Sequence, residues 1–354
     1  NWDNVQHRKT LIQDIFSGKR ELKNCRICFD EIHKYKRWKN SLKGLFDIYE
    51  PDTHWIVTGS AMLNIYRKGQ DSLVGRQFTY TLFPLSVAEL GGTLNSNTGV
   101  DSFQKIKFSQ SGKKDIEILR NLTQYGGFPE PYIKKSDLFL KRWRQTRLDR
   151  LINQDLAKME QFQHLDLIEN LLYLLPERVG SPLSINSLRE DLEVAHKTVR
   201  KWMDSLSRIF YGFYIEPYSM KQGRMLKKEK KWYLWDWTEV NEPGPRLENL
   251  AAVHLLKYVT FLRELGDNVT LHYIRDREKR EVDFIICRNQ KPLYGIEVKL
   301  KEGDNVTSLI YFSKKLKLEK SFLVVEENII PYRRQYRDIK VDVVSAAGFF
   351  SKLI

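Results

Sequence analysis

The sequence predicts an α/β protein built from successive parts, and three observations predict it. Near the start, a short apolar strand ending in two carboxylates, an amphipathic helix and a second apolar strand follow in the order of a βαβ unit. The middle is dominated by helical spacing and contains two closely linked helices. The last third carries two strands about a polar turn, with acidic and basic residues at set positions. The 354 residues, 42% of them hydrophobic, suffice for two or three domains with ordinary cores.

The first strand is Cys25-Arg26-Ile27-Cys28-Phe29-Asp30-Glu31, expected to be buried and to end at the carboxylate pair. Carboxyl ends of parallel strands are where α/β sheets bind ligands. A solvated strand end is one reading of the pair. The other gives Asp30 the task of holding Mg²⁺ and Glu31 that of positioning an attacking water. Trp38, Leu42, Leu45, Phe46 and Tyr49 recur at helical spacing, and Trp55-Ile56-Val57 reads as a second buried strand, stopping at Thr58-Gly59-Ser60. A right-handed crossover lays the two strands parallel and brings Thr58 and Ser60 near Asp30, where a hydroxyl can sense a γ-phosphate. Gln77 to Leu82 reads as a further strand and Asn95 to Gly99 as a polar loop.

Several stretches in this order resemble a known family: Phe29-Asp30-Glu31-Ile32-His33-Lys34 through Trp38, Thr58-Gly59-Ser60, Ser72-Leu73-Val74-Gly75-Arg76, Phe83-Pro84-Leu85-Ser86, Gly126-Gly127-Phe128-Pro129-Glu130, and the charged residues between 281 and 299. Together they resemble the prokaryotic AAA-type ATPases that carry a restriction-endonuclease-like C-terminal domain. The resemblance implies that Asp30-Glu31 is the Walker B pair, Ser60 a sensor, and Arg76 an arginine finger given to a neighbouring subunit. It departs from the family in one respect: no G-x-x-x-x-G-K-[ST] occurs, and Ser111-Gly112-Lys113-Lys114 lacks that spacing. The opening Asn1-Trp2-Asp3-Asn4 resembles the family's second strand, which follows the phosphate-binding loop. The chain is therefore expected to be a piece of a longer product, and as a complete protein it would not hydrolyse ATP.

From Asp115 helical periodicity takes over, with Ile116, Leu119 and Leu122, a turn at Gly126 to Pro131, and a long basic helix from Leu138 to Leu156. This looks like an AAA lid and linker. Residues 166 to 240 read as a winged helix-turn-helix. A helix opens at Pro182-Leu183-Ser184, and the next runs from Ala195 to Leu206. Val199, Trp202, Met203 and Leu206 form its buried stripe, leaving Lys197, Arg200 and Lys201, with His196, facing out as a DNA-reading helix would. Tyr211 to Tyr218 and Lys231 to Trp235 would form the wing, joined by the basic loop Lys221 to Lys231. Such a module serves DNA binding or protein packing.

In the last third, Val282 to Cys287 and Leu293 to Leu300 should form an antiparallel hairpin about Asn289-Gln290. Counting outward from Gln290 pairs Asp283 with Glu297, so Asp283, Glu297 and Lys299 should converge, with Glu281 near Lys299. Glu248, on a helix from Pro245 to Leu256, would add a carboxylate. Two carboxylates holding Mg²⁺ beside a lysine suit phosphodiester hydrolysis, and Glu248, Asp283, Glu297 and Lys299 resemble the PD-(D/E)xK nuclease signature. A surface ion-pair cluster is the plainer reading. A helix at Val306 to Leu316, strands at Ser321 to Val325 and Val341 to Val344, and a helix at Ala346 to Leu353 complete a mixed α/β domain.

A net charge of +14 and a pI near 9.4 favour an acidic partner, duplex DNA first. No apolar run approaches the ~18 residues of a membrane helix, so no membrane is expected as a partner. Three cysteines argue for a reducing, cytoplasmic setting, and Cys25-x-x-Cys28 lies on a strand rather than opening a helix as redox pairs do. The expected division is 1–115, an AAA-type core lacking its P-loop; 116–165, helical lid and linker; 166–240, winged helix-turn-helix; and 241–354, a restriction-endonuclease-like domain. The expected function is an ATPase, with Mg²⁺ and ATP as cofactors, that acts on double-stranded DNA, the trans arginine implying a homo-oligomer. The alternatives are a metal-dependent DNA nuclease with metal ligands at Asp283 and Glu297, and a non-catalytic DNA-binding protein.

Overall fold

The computed structural model describes residues 1–19, 22, 24–49, 53–59, 77–92, 108–156, 165–219, 229–303 and 306–353. The chain divides into two compact units, Asn1–Thr81 with Arg208–Phe210, and Leu82–Ser207 with Tyr211–Ile354.

In the first unit, α1 (Val5–Thr10) begins at Asn4, whose side chain accepts from the backbone N–H groups of Gln6 and His7 and so satisfies two donors left open at a helix start. Then come β1 (Arg26–Asp30), α2 (Trp38–Tyr49) and β2 (His54–Thr58). The two strands pair in parallel from Arg26 opposite His54 to Asp30 opposite Thr58, as the βαβ order requires. Helix α2 turns Trp38, Leu42 and Leu45 into a core with Phe29, Ile32, Leu11 and Ile15, and Ile27 and Trp55 join it. Burial is less complete than the apolar runs suggest. Of β1 only Phe29 is buried, while Cys28 and, on β2, Ile56 and Val57 are exposed. Parallel strands are normally covered on both faces; here the apolar cluster takes Ile27 and Phe29 of β1 and Trp55 of β2 and leaves Cys28 and Ile56 beside them exposed. Gln77 to Leu82 is also corrected. The stretch forms no strand, finds no ladder partner among the described residues, and exposes Phe78, Tyr80 and Leu82.

The second unit begins with α3 (Val87–Gly91), started by a capping box in which Ser86 and Glu89 satisfy each other's backbone donors. Helices α4 (Lys113–Tyr125), α5 (Pro129–Lys134) and α6 (Asp137–Arg150) follow, the last continuing as a wider turn over Leu151–Leu156. The Gly126-Gly127 turn is a place of close approach. Gly126 has φ +82°, and a Cβ on Gly127 would lie 2.6 Å from Trp237 and 2.7 Å from Pro84. The Leu85 N–H donates to the Gly127 carbonyl at 2.7 Å, and the Trp237 indole donates to the Leu122 carbonyl at 2.7 Å. The Phe83–Ser86 and Gly126–Glu130 stretches are thus one packed unit, which only a residue without a side chain at 127 permits.

Next come α7 (Leu165–Leu174), α8 (Ile185–Asp191), α9 (His196–Arg208), and the antiparallel strands β3 (Gly212–Pro217) and β4 (Lys231–Leu234). Then follow α10 (Pro243–Glu264), β5 (Val269–Arg275), β6 (Glu281–Arg288), β7 (Lys291–Lys299), α11 (Thr307–Leu316), β8 (Lys320–Val325), β9 (Tyr332–Tyr336), β10 (Ile339–Ser345) and α12 (Ala346–Phe350). Strands β3 to β10 form one mixed sheet in the order β4-β3-β5-β6-β7-β8-β10-β9. The β3–β4 hairpin expected as a wing therefore belongs to this sheet, because Glu216 and Pro217 of β3 pair in parallel with His272 and Tyr273 of β5. Helix α10 is eight residues longer than its expected end at Leu256, because Tyr258, Val259 and Leu262 continue its buried stripe. Helix α11 covers a core of Ile285, Cys287, Leu309, Phe312, Leu323, Val341 and Val343. Among the described residues no helix is long and apolar enough to cross a membrane.

Candidate functional site

Two groups of carboxylates were expected, one in each unit. In the first unit, Asp30 ends β1 and Glu31 follows in the left-handed region at φ 58°. Both Asp30 oxygens accept hydrogen bonds, Oδ1 from Thr58 Oγ1 and Oδ2 from Asn1 Nδ2, each at 2.7 Å. The Glu31 N–H donates to the Thr58 carbonyl at 3.1 Å, and its carboxylate lies 3.2 Å from Lys34 Nζ, which also reaches Asp3 at 2.5 Å. Hydrogen bonding to Asp3 raises the Lys34 pKa above its ordinary value; burial pulls it down and Glu31 adds to the rise. Thr58 therefore lies beside Asp30, as the parallel crossover predicts. Ser60 and Arg76 lie outside the described residues, as does most of the 221–231 loop. Asp30 and Glu31 fit a cation held partly by phosphate and water. They sit together at the carboxyl end of parallel strands, and each Asp30 oxygen keeps a second lone pair beyond its hydrogen bond to a neutral donor.

The second group is assembled by the large sheet. A two-residue turn, Asn289-Gln290, with φ of 50° and 66°, joins β6 to β7, the positive-φ form that matches strand twist. Alone it would pair Arg288 with Lys291 and place Asp283 opposite Ile296. Leu293, an extra residue in β7, shifts the ladder so that Phe284 lies opposite Ile296, and one step further Asp283 lies opposite Glu297. A second irregularity sets Asp283 and Phe284 together against Tyr273 of β5. Bulges re-aim side chains in this way. One Asp283 oxygen accepts from the Val298 N–H at 2.9 Å, and Glu297 Oε1 meets Lys299 Nζ at 2.7 Å. The expected convergence of Asp283, Glu297 and Lys299 is what the ladder produces.

The group contains a residue that the sequence reading passed over. Lys231, the first residue of β4, is fully buried, and its ammonium lies 3.0 Å from Glu248 on α10, 2.6 Å from Glu281 and 3.9 Å from Asp283. Tyr233, two residues on and so on the same side of β4, donates to Glu248 Oε1 at 2.7 Å. Glu281 thus pairs with Lys231, and with Arg275 at 3.0 Å, rather than with the expected Lys299. The signal that could have revealed Lys231 is its place at the head of Lys231-Trp232-Tyr233-Leu234-Trp235, a run buried on both faces.

Electrostatics follows from this burial. Loss of solvent pushes the Glu248 carboxyl up to about 7, against the pull of Lys231. Burial, with repulsion from Asp283, pushes Glu297 up to about 8 despite Lys299. For Lys231, burial favours the neutral amine, but Glu248, Asp283 and Glu281 outweigh it and the pKa rises. The second oxygen of Glu297 is buried and has no hydrogen-bond partner among the described residues. Among the described residues, no group of three or more His, Cys, Asp or Glu side chains is arranged to hold a metal ion.

On α9, Val199, Trp202, Met203 and Leu206 are buried, while His196, Lys197, Arg200 and Lys201 are exposed. The first half of the helix thus presents basic side chains on the side away from its buried stripe.

Residues 1–91 match the family described as an AAA domain. Residues 116–238 and 243–345 match two families described as domains of unknown function, DUF8612 and DUF4143. An uncharacterized protein of Methanocaldococcus jannaschii is 25% identical over 329 residues, covering 85% of this chain and 66% of that protein. Uncharacterized proteins of Mycobacterium bovis and Mycobacterium tuberculosis are each 22% identical over 284 residues, covering 77% of this chain and 58% of their own length. The chain thus spans less than two thirds of the length of these relatives. No solved structure matches it. The first of the three matches supports a P-loop NTPase-like core at the N-terminal end of a mixed α/β chain.

Proposed function

We propose that the chain carries part of an AAA-type ATPase that couples Mg²⁺-dependent ATP hydrolysis to an action on duplex DNA. The observation that carries this reading is the pair Asp30–Glu31 at the carboxyl ends of parallel β1 and β2, with Thr58 hydrogen-bonded to Asp30, inside the stretch that matches an AAA domain. Mg²⁺, when bound, would offset charge on the phosphate oxygens as the bond to the terminal phosphoryl breaks. Asp30 would hold that ion, and Thr58 fixes the Asp30 carboxylate in place. Glu31, set beyond the strand end and steadied by Lys34, would orient the attacking water. Ser60 as sensor and Arg76 acting in trans, which makes the assembly a homo-oligomer, come from the family resemblance.

The action on DNA is assigned to α9, where Lys197, Arg200 and Lys201 stand clear of a well-packed stripe on a strongly basic chain. Phosphate contacts of this kind make binding salt-dependent, with a slope of roughly −0.9 per contact. A content of only three cysteines accords with a cytoplasmic setting. The test is ATP hydrolysis by the complete gene product, with and without duplex DNA, beside its Glu31→Gln variant. Turnover that DNA stimulates and Glu31→Gln abolishes is expected. Absence of turnover in the complete product contradicts the reading.

A second reading, a metal-dependent nuclease using Glu248, Asp283, Glu297 and Lys299, is favoured by their convergence and by the partnerless oxygen of Glu297. The residues as arranged do not fit a divalent metal, however: a buried ammonium already stands against two of these carboxylates, Glu248 and Asp283, and against Glu281. No cleavage step is derived for this site.

A further inference from the structure

We propose that the Lys231 ammonium is the resident cation of the C-terminal carboxylate group, standing where a divalent metal would stand, so that the group takes up a hard divalent cation only when Lys231 is removed. An ammonium is a compact point charge with three donors. Lys231 meets three carboxylates from two elements, Glu248 of α10 and Glu281 and Asp283 of β6. The ring of Tyr273 lies 5.4 Å from the same nitrogen. Oxygen-rich surroundings of this kind are what a hard divalent ion uses.

The lysine is built in rather than draped over the site. Its backbone pairs with Ile215 of β3 on one side and bridges to Pro182 on the other, and the Leu183 N–H donates to the Lys230 carbonyl at 2.8 Å. Gly180, at φ +79°, packs so closely on Glu248 that a Cβ there would lie 3.0 Å from its Oε2. The ammonium is thus anchored by a backbone paired on both sides, and a dication entering beside it would meet like charge at close range. The partnerless Glu297 oxygen, on a side chain only 6% exposed, is what remains of the metal-type donor set once Lys231 has engaged the other carboxylates. Resting on the proposed action on DNA, the consequence is that this group does not cut the DNA the chain meets.

The test is Mn²⁺ binding by the full chain, read by electron paramagnetic resonance, for the unaltered protein, Lys231→Met, Asp283→Asn and the Lys231→Met/Asp283→Asn double variant. The unaltered chain and Asp283→Asn should bind Mn²⁺ alike. Lys231→Met should gain a Mn²⁺ site that the unaltered chain lacks, raising bound Mn²⁺ by about one ion per chain, and the double variant should lose it. Mn²⁺ held by the unaltered chain and released by Asp283→Asn overturns the proposal, as does a folded Lys231→Met chain with no added site. If Lys231→Met does not fold, the comparison of the unaltered chain with Asp283→Asn still decides: an Asp283-dependent site refutes the proposal and none supports it. The outcome is independent of ATP hydrolysis, since Asp30 and Glu31 are intact in every arm.

Discussion

The two carboxylate groups share a sequence logic and differ in what closes them. Asp30 and Glu31 end a strand of a small parallel pair, are only half-buried, and lean on neutral donors and a surface lysine. Glu248, Glu281 and Asp283 lie against a fully buried lysine, and Glu297 beside Lys299, where a helix packs on an eight-stranded sheet. Burial separates their chemistry. A carboxylate near water can exchange partners and receive an incoming ion, whereas buried carboxylates need their counter-charge supplied by the fold. Acidic residues beside a strand end identify a place where a cation is wanted, and depth decides whether that cation comes from solution or from the chain.

The comparison breaks first at Lys231. Replacing it with methionine leaves buried carboxylates uncompensated and should cost about 3–5 kcal/mol in chemical denaturation; pairing it with Glu248→Gln should recover part of that loss. By contrast, Asp30→Asn, at a half-buried hydrogen-bonded site, should cost no more than about 1–2 kcal/mol. A small effect of Lys231→Met would dissolve the distinction between the groups.

A pH effect sharpens the contrast by showing what full burial does to a neutral group. The Val87 N–H donates to His254 Nε2 at 3.2 Å, so the ring proton sits on Nδ1 and is donated to the Leu250 carbonyl at 2.9 Å. Burial lowers the His254 pKa to about 4 from 6.5, opposed by the hydrogen bond to Leu250. A folded pKa below the unfolded one gives stability that is complete above the unfolded value. It is lost as pH falls through the folded value. The second unit should lose roughly 3 kcal/mol between about pH 6.5 and 4, and the slope should shrink in His254→Gln.

Smaller effects follow from packing and from the surface. Gly127→Ala drives a Cβ into Trp237 and Pro84 and should cost about 1–3 kcal/mol in thermal or chemical unfolding. Lys197→Ala, Arg200→Ala and Lys201→Ala should each change stability by less than about 0.5 kcal/mol while reducing the salt slope of DNA binding by about 1. Unchanged slopes would assign α9 to packing rather than to DNA.

How much of this was legible in the sequence depended on the range of the interactions involved. The βαβ order placed Thr58 against Asp30 because crossover handedness is nearly invariant. The buried stripe of α9 follows from 3.6-residue spacing alone. The Asp283–Glu297 alignment emerged from a count centred on Gln290, although the turn is centred between Asn289 and Gln290. Leu293, inserted in β7, makes up the difference, a compensation that no local pattern reveals. Strand β9, Tyr332-Arg333-Arg334-Gln335-Tyr336, is exposed, so it lacks the apolar run that marks a buried strand. Lys231 was read as the end of a basic loop because its partners lie 17, 50 and 52 residues further along the chain, and only the folded sheet brings them to it.

The most direct test measures ATP hydrolysis and DNA cleavage in the same preparations of the complete gene product, unaltered and as Glu31→Gln and Asp283→Asn. The expected result is Mg²⁺-dependent ATP turnover that Glu31→Gln abolishes and Asp283→Asn leaves in place, with no cleavage of DNA in any of the three. DNA cleavage by the unaltered protein that disappears in Asp283→Asn would contradict it, by showing that the lysine-filled group is the working site.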